Sequence, residues 1–354
     1  CSYYTGGEVF YPRSKPAGLC VPTTNSAQQD LADAVRAFLV AGAIRLYRSG
    51  KLGPASGLRA QFENEAEARA YVAPPHSMLY HPSAAIEGHF RGAEDILLWA
   101  GIPDRATARN LLNTGEARLP DTLVNDLRAE PDQWAQWLDE YIASARAIED
   151  EFSVLPPKTF PDWQTVETLL IDELIPGTRV AVVNSDPNAD DRPAYAPSQD
   201  TSTGKWSAAR DLSTIFVSGN VMARGLTLEG MTTALFQRSS ANPLADTQMQ
   251  MQRWFGYRGS YIEMCRVFAS NDQLALFRAY HDVDEALRTA ITERMMSGAP
   301  EPTVLQGLSF EATGKIAGLG NLPLSPGARP FVKVINDGQQ PDPNADVLAE
   351  LFAR

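Results

Sequence analysis

Apolar positions change their spacing along this chain, and the spacing predicts the elements. Residues 1–25 are extended and turn-rich, with Gly6-Gly7 and three prolines. Between 26 and 49 (SAQQDLADAVRAFLVAGAIRLYRS) apolar residues recur at helical intervals. Leu31, Val35, Phe38, Leu39, Gly42 and Leu46 share a face, and Ser26 is placed to cap the helix. Residues 50–75 read as a loop with a short helical piece, and SMLYH (77–81) as a short strand. Residues 83–101 and 121–152 read as helices. The second carries Leu123, Leu127, Trp134, Leu138 and Ile142 on a helical repeat, with a break at Pro131. This helical region sits like an insertion, and Pro156, Pro157 and Pro161 mark its end.

From 162 the texture changes. A helix over 162–174 leads to RVAVVNSD (179–186), a continuous apolar run of the kind buried in parallel sheets. STIFVSGN (213–220), TTALFQR (232–238) and YIEMCRVFA (261–269) repeat that texture, with helical stretches near 244–256 and 270–296. Alternating strand and helix predicts an α/β layer fold with a parallel sheet and a helical insertion. The expected division is a linker at 1–25, the helical part at 26–155, an α/β core at 156–297 and a peripheral extension at 298–354.

Composition adds exclusions. The chain has 354 residues and a formal net charge of −12. Any nucleic-acid contact therefore falls to a local basic patch or to a partner. Cys1, Cys20 and Cys265 are too few and too scattered for a disulfide framework or a zinc ribbon, and a reducing cytoplasm fits them. No apolar run reaches the length of a membrane span. The first residue is Cys and the last residues, LAELFAR, read as a helix in progress, so a fragment of a longer chain is expected.

A phosphate-binding loop ends in Gly-Lys-Ser/Thr. The Gly-Lys pairs here are followed by Leu52, Trp206 and Ile316, so the cradle is absent. LLIDELI (169–175) imitates a magnesium-binding acidic strand, with Asp172 on the metal and Glu173 on the attacking water. The competing reading is a helix end with both carboxylates in solvent.

Two segments carry the chemistry. IFVSGNVMARGLTLEGM (215–231) joins a buried strand to a glycine-punctuated turn, where α/β sheets place ligands. Gly219 permits tight backbone passage, Asn220 and Thr227 offer neutral hydrogen bonds, and Arg224 and Glu229 offer charge or pair with each other. Gly225 shapes the turn. DTQMQMQRWFGYRG (246–259) follows on an expected helix. Arg253 and Arg258 diverge by about 140° if that helix continues, and reach one site if Gly256 ends it. They are either phosphate-directed or ordinary paired arginines. Trp254, Phe255 and Tyr257 read as core. His76 and His81 fall on opposite faces of a strand, which disfavours a shared metal, and no metal site is expected.

These segments resemble the Z1 domain family, often labelled as endonucleases. Its hallmark runs close to GGN-x-L-S-R-G-L-T-L-E-G-L, then D-T-L-M-Q-M-G-R-W-F-G-Y-R, then a strand ending L-C-R-I-Y. This chain has SGNVMARGLTLEGM, DTQMQMQRWFGYR and MCRVF, and HSMLYH (76–81) resembles a further element. Ser218 and Gln252 stand where the family has glycine. The resemblance implies a RecA-like parallel sheet flanked by helices, related to the second domain of superfamily-two helicases. It implies that Gly219, Asn220, Arg224, Gly225, Thr227 and Glu229 couple nucleotide and DNA sites. By the same resemblance Arg253 and Arg258 are arginine fingers, Gln250 is a polar contact, and His76 and His81 are coupling histidines. The implied setting is a bacterial restriction or phage-defence system. ATP and Mg2+ would be bound mainly by an upstream DEAD-box-type ATPase domain, with DNA as the track and cleavage in a nuclease subunit or domain. The alternatives are an endonuclease and a non-catalytic DNA-binding scaffold. A common nuclease core needs Asp/Glu-x-Lys, and neither Asp-x-Lys nor Glu-x-Lys occurs here.

Overall fold

The computed structural model describes residues 6–12, 17–151, 159–184, 191–219, 228–237, 245–297, 303–306 and 327–330. The chain divides into two compact units, Cys1–Arg278 and Ala279–Arg354.

The first unit is built on a six-stranded parallel sheet. Its strands are β1 (Cys20–Pro22), β2 (His76–His81), β3 (Arg179–Val183), β4 (Ser213–Ser218), β5 (Met231–Phe236) and β6 (Arg266–Ala269). They lie in the order β1-β6-β5-β2-β4-β3, and every neighbouring pair is parallel. Strands β2 to β6 are buried along their whole length, which is why short apolar runs such as VAVV and IFV lie within them.

Strand periodicity sorts these residues onto two faces. Met78, Tyr80, Val180, Val182, Ile215, Val217, Leu235 and Phe268 join one large cluster with the helices. The alternate residues, among them Leu79, His81 and Phe236, point to the other face. There Phe236 meets His81 and Phe277 edge-on.

The helix α1 (Ala27–Ser49) packs on β5 and on α4 (Pro131–Glu151). It is alanine-rich and closed at both ends. Ser26 Oγ accepts the Gln29 amide at 3.3 Å, and Gly50 ends it at φ 61°. Small side chains let it lie deep, so Ala34, Ala37, Phe38, Ala41 and Ile44 are fully buried. The helices α2 (Ile86–Trp99) and α3 (Arg105–Thr114) pack together, and α2 also lies on β3 and β4. The break expected at Pro131 is present: one helix ends at Ala129 and Pro131 opens α4, where a first-turn proline forfeits no helical hydrogen bond.

The structure departs from the sequence expectations at four points. The segment expected as a linker supplies the edge strand β1, paired with β6. The segment expected as a helical insertion supplies β2, at the centre of the sheet between β4 and β5. No division falls near 155, because strands from both sides of it share one sheet. Finally, Glu173 is half-buried rather than solvated. Its carboxylate accepts the Ser56 amide at 2.9 Å and also takes the Ser56 hydroxyl, closing the first turn of the helix Pro54–Arg59. Asp172 is exposed.

In the second unit Thr303–Gln306 and Gly327–Pro330 pair as antiparallel strands. The expected peripheral extension at 298–354 otherwise lies outside the described residues. A helix, α6 (Asn271–Ser297), begins in the first unit and ends in the second.

Candidate functional site

The winding of the sheet reverses at β2. The chain places β3 and β4 on one side of it and β5 and β6 on the other. The carboxyl ends of strands flanking such a reversal form the crevice where α/β sheets bind ligands. Here that edge carries His81, Ser218 and Gly219. Asn184 follows β3 and Gln237 follows β5.

Carbonyl acceptors fix the tautomers at this edge. His81 Nδ1 donates to the Ser218 carbonyl at 2.8 Å, and His89 Nε2 donates to the Ser83 carbonyl at 3.1 Å. Gly219 lies so close to His89 that an added Cβ would sit 2.6 Å from Nε2. The glycine therefore allows close approach of backbone to imidazole, and the next residues open the candidate coupling loop. Asn220, Arg224, Gly225 and Thr227 lie outside the described residues.

The same loop returns at the opposite edge. Glu229 is exposed, and its carbonyl accepts Ser77 Oγ at 2.8 Å. Gly230 has φ 63°, and a side chain there would overlap the Pro75 carbonyl. The sequence grouped Gly219 and Glu229 into one site. The fold separates them, because the segment joining two parallel strands must cross from a carboxyl end to an amino end.

The amino edge also holds His76. Its Nδ1 accepts from Arg45 Nη1 at 2.9 Å, so its Nε2 carries the proton that binds the Phe38 carbonyl at 2.8 Å. The ring stacks on Phe38 at 4.2 Å. Burial, then the Arg45 charge, holds its pKa well below 6.5. His76 and His81 thus occupy opposite faces and opposite edges of the sheet, and share no ligand.

The arginine motif follows β5. The helix α5 (Ala245–Met251) is short, and the chain leaves it before both arginines. Gln252 and Trp254 are buried and pinned to one hydroxyl. The Trp254 indole donates to Tyr11 Oη at 3.2 Å, and Tyr11 donates to Gln252 Oε1 at 3.0 Å. Trp254 also packs edge-on against Phe255 and Phe277. The core reading therefore fits Trp254 and fails for Tyr257, which is 70% exposed.

Gln250 is exposed and Arg253 is partly open to solvent. Burial lowers the pKa of Arg253. Arg258 differs: it is 7% exposed. Its guanidinium donates to the carbonyls of Trp254 (2.6 Å), Arg253 (2.9 Å) and Met231 (2.9 Å) and to Tyr261 Oη (2.7 Å). Arg266, in the third family segment, is fully buried and donates to the carbonyls of Glu263 and Cys265 and to Ser144 Oγ. Arg45, unmarked by any motif, donates to Pro75 and Gly230 carbonyls, both at 3.0 Å. Only the run of arginines at 45 and 48 on a mostly apolar helix signalled it.

Among the described residues no cluster of three or more His, Cys, Asp or Glu is placed to hold a metal. No helix among them is long and apolar enough to cross a membrane.

Fold and site together define an α/β protein whose parallel sheet carries its marked residues at both strand ends. The Z1 domain model matches residues 30–306, most of the chain, and the chain belongs to the Z1 domain family. No curated protein and no solved structure matches it.

Proposed function

We propose that this chain is the second, RecA-like half of an ATP-dependent DNA translocase, supplying an arginine to a nucleotide held by another domain. The observation that carries the reading is the placement of Arg253. It lies partly open to solvent just past the helix that follows a central parallel strand, in the same segment as exposed Gln250. A guanidinium so placed stabilises charge on a transferring phosphoryl group, worth about 10³–10⁵ in rate.

The chain's own residues do not fit the remaining parts of a nucleotide site. It has no Gly-Lys-Ser/Thr loop, and among its described residues no acidic cluster for Mg2+. ATP and Mg2+ belong, on this reading, to an upstream DEAD-box-type domain. Bound ATP would supply a γ-phosphate whose developing charge Arg253 would stabilise. The segment 219–229 starts at the reversal crevice and ends beside the amino edge, so it is the natural link between the nucleotide and a DNA track. Strand cleavage, in a restriction or defence setting, would belong to a partner.

The test uses the protein that contains this chain with its upstream ATPase domain. DNA-stimulated ATP turnover and metal-dependent DNA cleavage are measured with wild type and Arg253→Ala. The expected result is turnover lowered by about 10³-fold or more in the variant, and no cleavage by wild type. Unchanged turnover in the variant sinks the reading and leaves a scaffold. Cleavage without ATP replaces it with the endonuclease reading.

A further inference from the structure

We propose that Arg258 is a positioning residue for Arg253 rather than a second phosphate ligand, and that Arg45 forms the other arm of the same bracket. The inference rests on the reading of Arg253 given above.

A guanidinium has five N–H donors. Arg258 commits four of them inside the protein, to the carbonyls of Trp254, Arg253 and Met231 and to the Tyr261 hydroxyl. Turning toward a phosphate would strand three backbone acceptors that this side chain satisfies. The backbone is shaped for the arrangement. Gly256 sits at φ 141°, and beyond it the chain folds back far enough for Arg258 to reach carbonyls four and five residues earlier. One of those is the carbonyl of Arg253 itself.

The third carbonyl partner, Met231, follows Gly230 at the end of the other motif. The Gly230 carbonyl is held by Arg45 Nη1, which also binds the Pro75 carbonyl and His76 Nδ1. The two guanidinium carbons lie 4.5 Å (Arg45) and 5.7 Å (Arg258) from the Tyr261 ring centroid. Consecutive carbonyls of one motif are thus gripped by two arginines that share an aromatic ring. Arg45 ties them to the helix α1 and His76, and Arg258 ties them to Arg253. Lysine replaces neither: a point charge with three rotatable donors cannot span a fork of fixed carbonyls.

The experiment compares Arg253→Ala, Arg258→Lys and the double variant in the full protein, by DNA-stimulated ATP turnover and by amide hydrogen exchange. Arg258→Lys is expected to lose about 10²-fold in turnover, the size of a small misplacement of a reacting group. The double variant is expected to fall no lower than Arg253→Ala alone, since Arg258 acts through Arg253. Amides at 253–258 are expected to exchange faster in Arg258→Lys, with β2 and β4 unchanged. Losses that multiply in the double variant overturn the proposal, as does unchanged exchange at 253–258. If wild type turns over no ATP, the functional reading fails by itself, and the exchange result alone decides the bracket. Should Arg258→Lys not fold, Tyr261→Phe removes one of the four bonds and gives the same readouts at smaller size.

Discussion

His76 is held neutral by its neighbours, and this has a pH consequence. Its folded pKa lies well below 6.5 because the ring is buried beside the Arg45 guanidinium. The folded state therefore refuses a proton that the unfolded chain accepts. Stability contributed by the neutral ring is complete above about pH 6.5 and declines as pH falls below it, by up to about 1.4 kcal/mol per pH unit. His76→Gln keeps an acceptor for Arg45 and a donor for Phe38 but does not titrate. Denaturant titrations at several pH values between neutral and mildly acidic should show a shallower acid-side loss in the variant. Equal slopes would mean that another group carries the acid sensitivity. The arginines show where residue-scale reading stops. Arg253 and Arg258 were equivalent in sequence, since spacing reveals that two guanidiniums are near each other but not which backbone carbonyls they meet. Arg45 was invisible for the same reason, its partners lying 30 and 185 residues away.

Among the elements, the strands were legible and their company was not. Runs such as TIFVS and TTALF announce burial on both faces; β3 and β4 lie within the stretches expected for them, and β5 overlaps its stretch but begins one residue earlier, at Met231. The stretch 261–269 is a strand only from Arg266; before it Ile262–Met264 form a 3-10 turn. Apolar periodicity does not distinguish that turn from an extended run. The loop before β4 shows what fixes an irregular element. Asp211 and Arg179 are both fully buried, with Nη1 to Oδ1 at 2.9 Å. Asp211 also accepts the Ala194 amide at 2.6 Å and the Thr214 hydroxyl at 3.1 Å. It pins the segment 194–214 to the first residue of β3. Arg179 keeps Asp191 as a second partner, so removing Asp211 strands buried donors rather than a lone charge, at a cost of about 1–3 kcal/mol. Asp211→Ala should therefore lower the unfolding free energy by that amount in denaturant melts, and should open 194–210 to protease first. A loss below about 1 kcal/mol would show the pair to be solvated.

For the molecule as a whole, charge argues against independent action on DNA. The chain carries 43 acidic and 31 basic residues. Many arginines are already occupied: Arg36 by Asp126, Arg105 and Arg109 by Glu94, Arg179 by Asp211. Phosphate contacts and the counterions they release drive non-specific DNA binding. The isolated chain is therefore expected to bind duplex DNA more weakly than about 10⁻⁴ M at physiological salt, the loose end of ordinary non-specific binding. Fluorescence anisotropy across a salt series checks this, and micromolar affinity with a steep salt slope would reveal a basic surface of its own. The fold class was within reach of the sequence because repeated buried strands separated by helices leave few arrangements. The strand order was not, because nothing in HSMLYH says that its neighbours come from the far half of the chain.

That central position of β2 also sets a schedule for the growing polypeptide. One neighbour, β4, ends at Ser218 and the other, β5, at Phe236. At about 5–20 residues per second, the ribosome needs on the order of ten seconds to deliver both after β2 emerges. Throughout that interval an apolar strand with two open edges has no native partner, the condition that invites intermolecular pairing. The early helices α1 and α2, with Phe38 stacked on His76, are the shelter available to it. Deep contacts between an alanine-rich helix and this strand then serve nascent solubility as well as native packing.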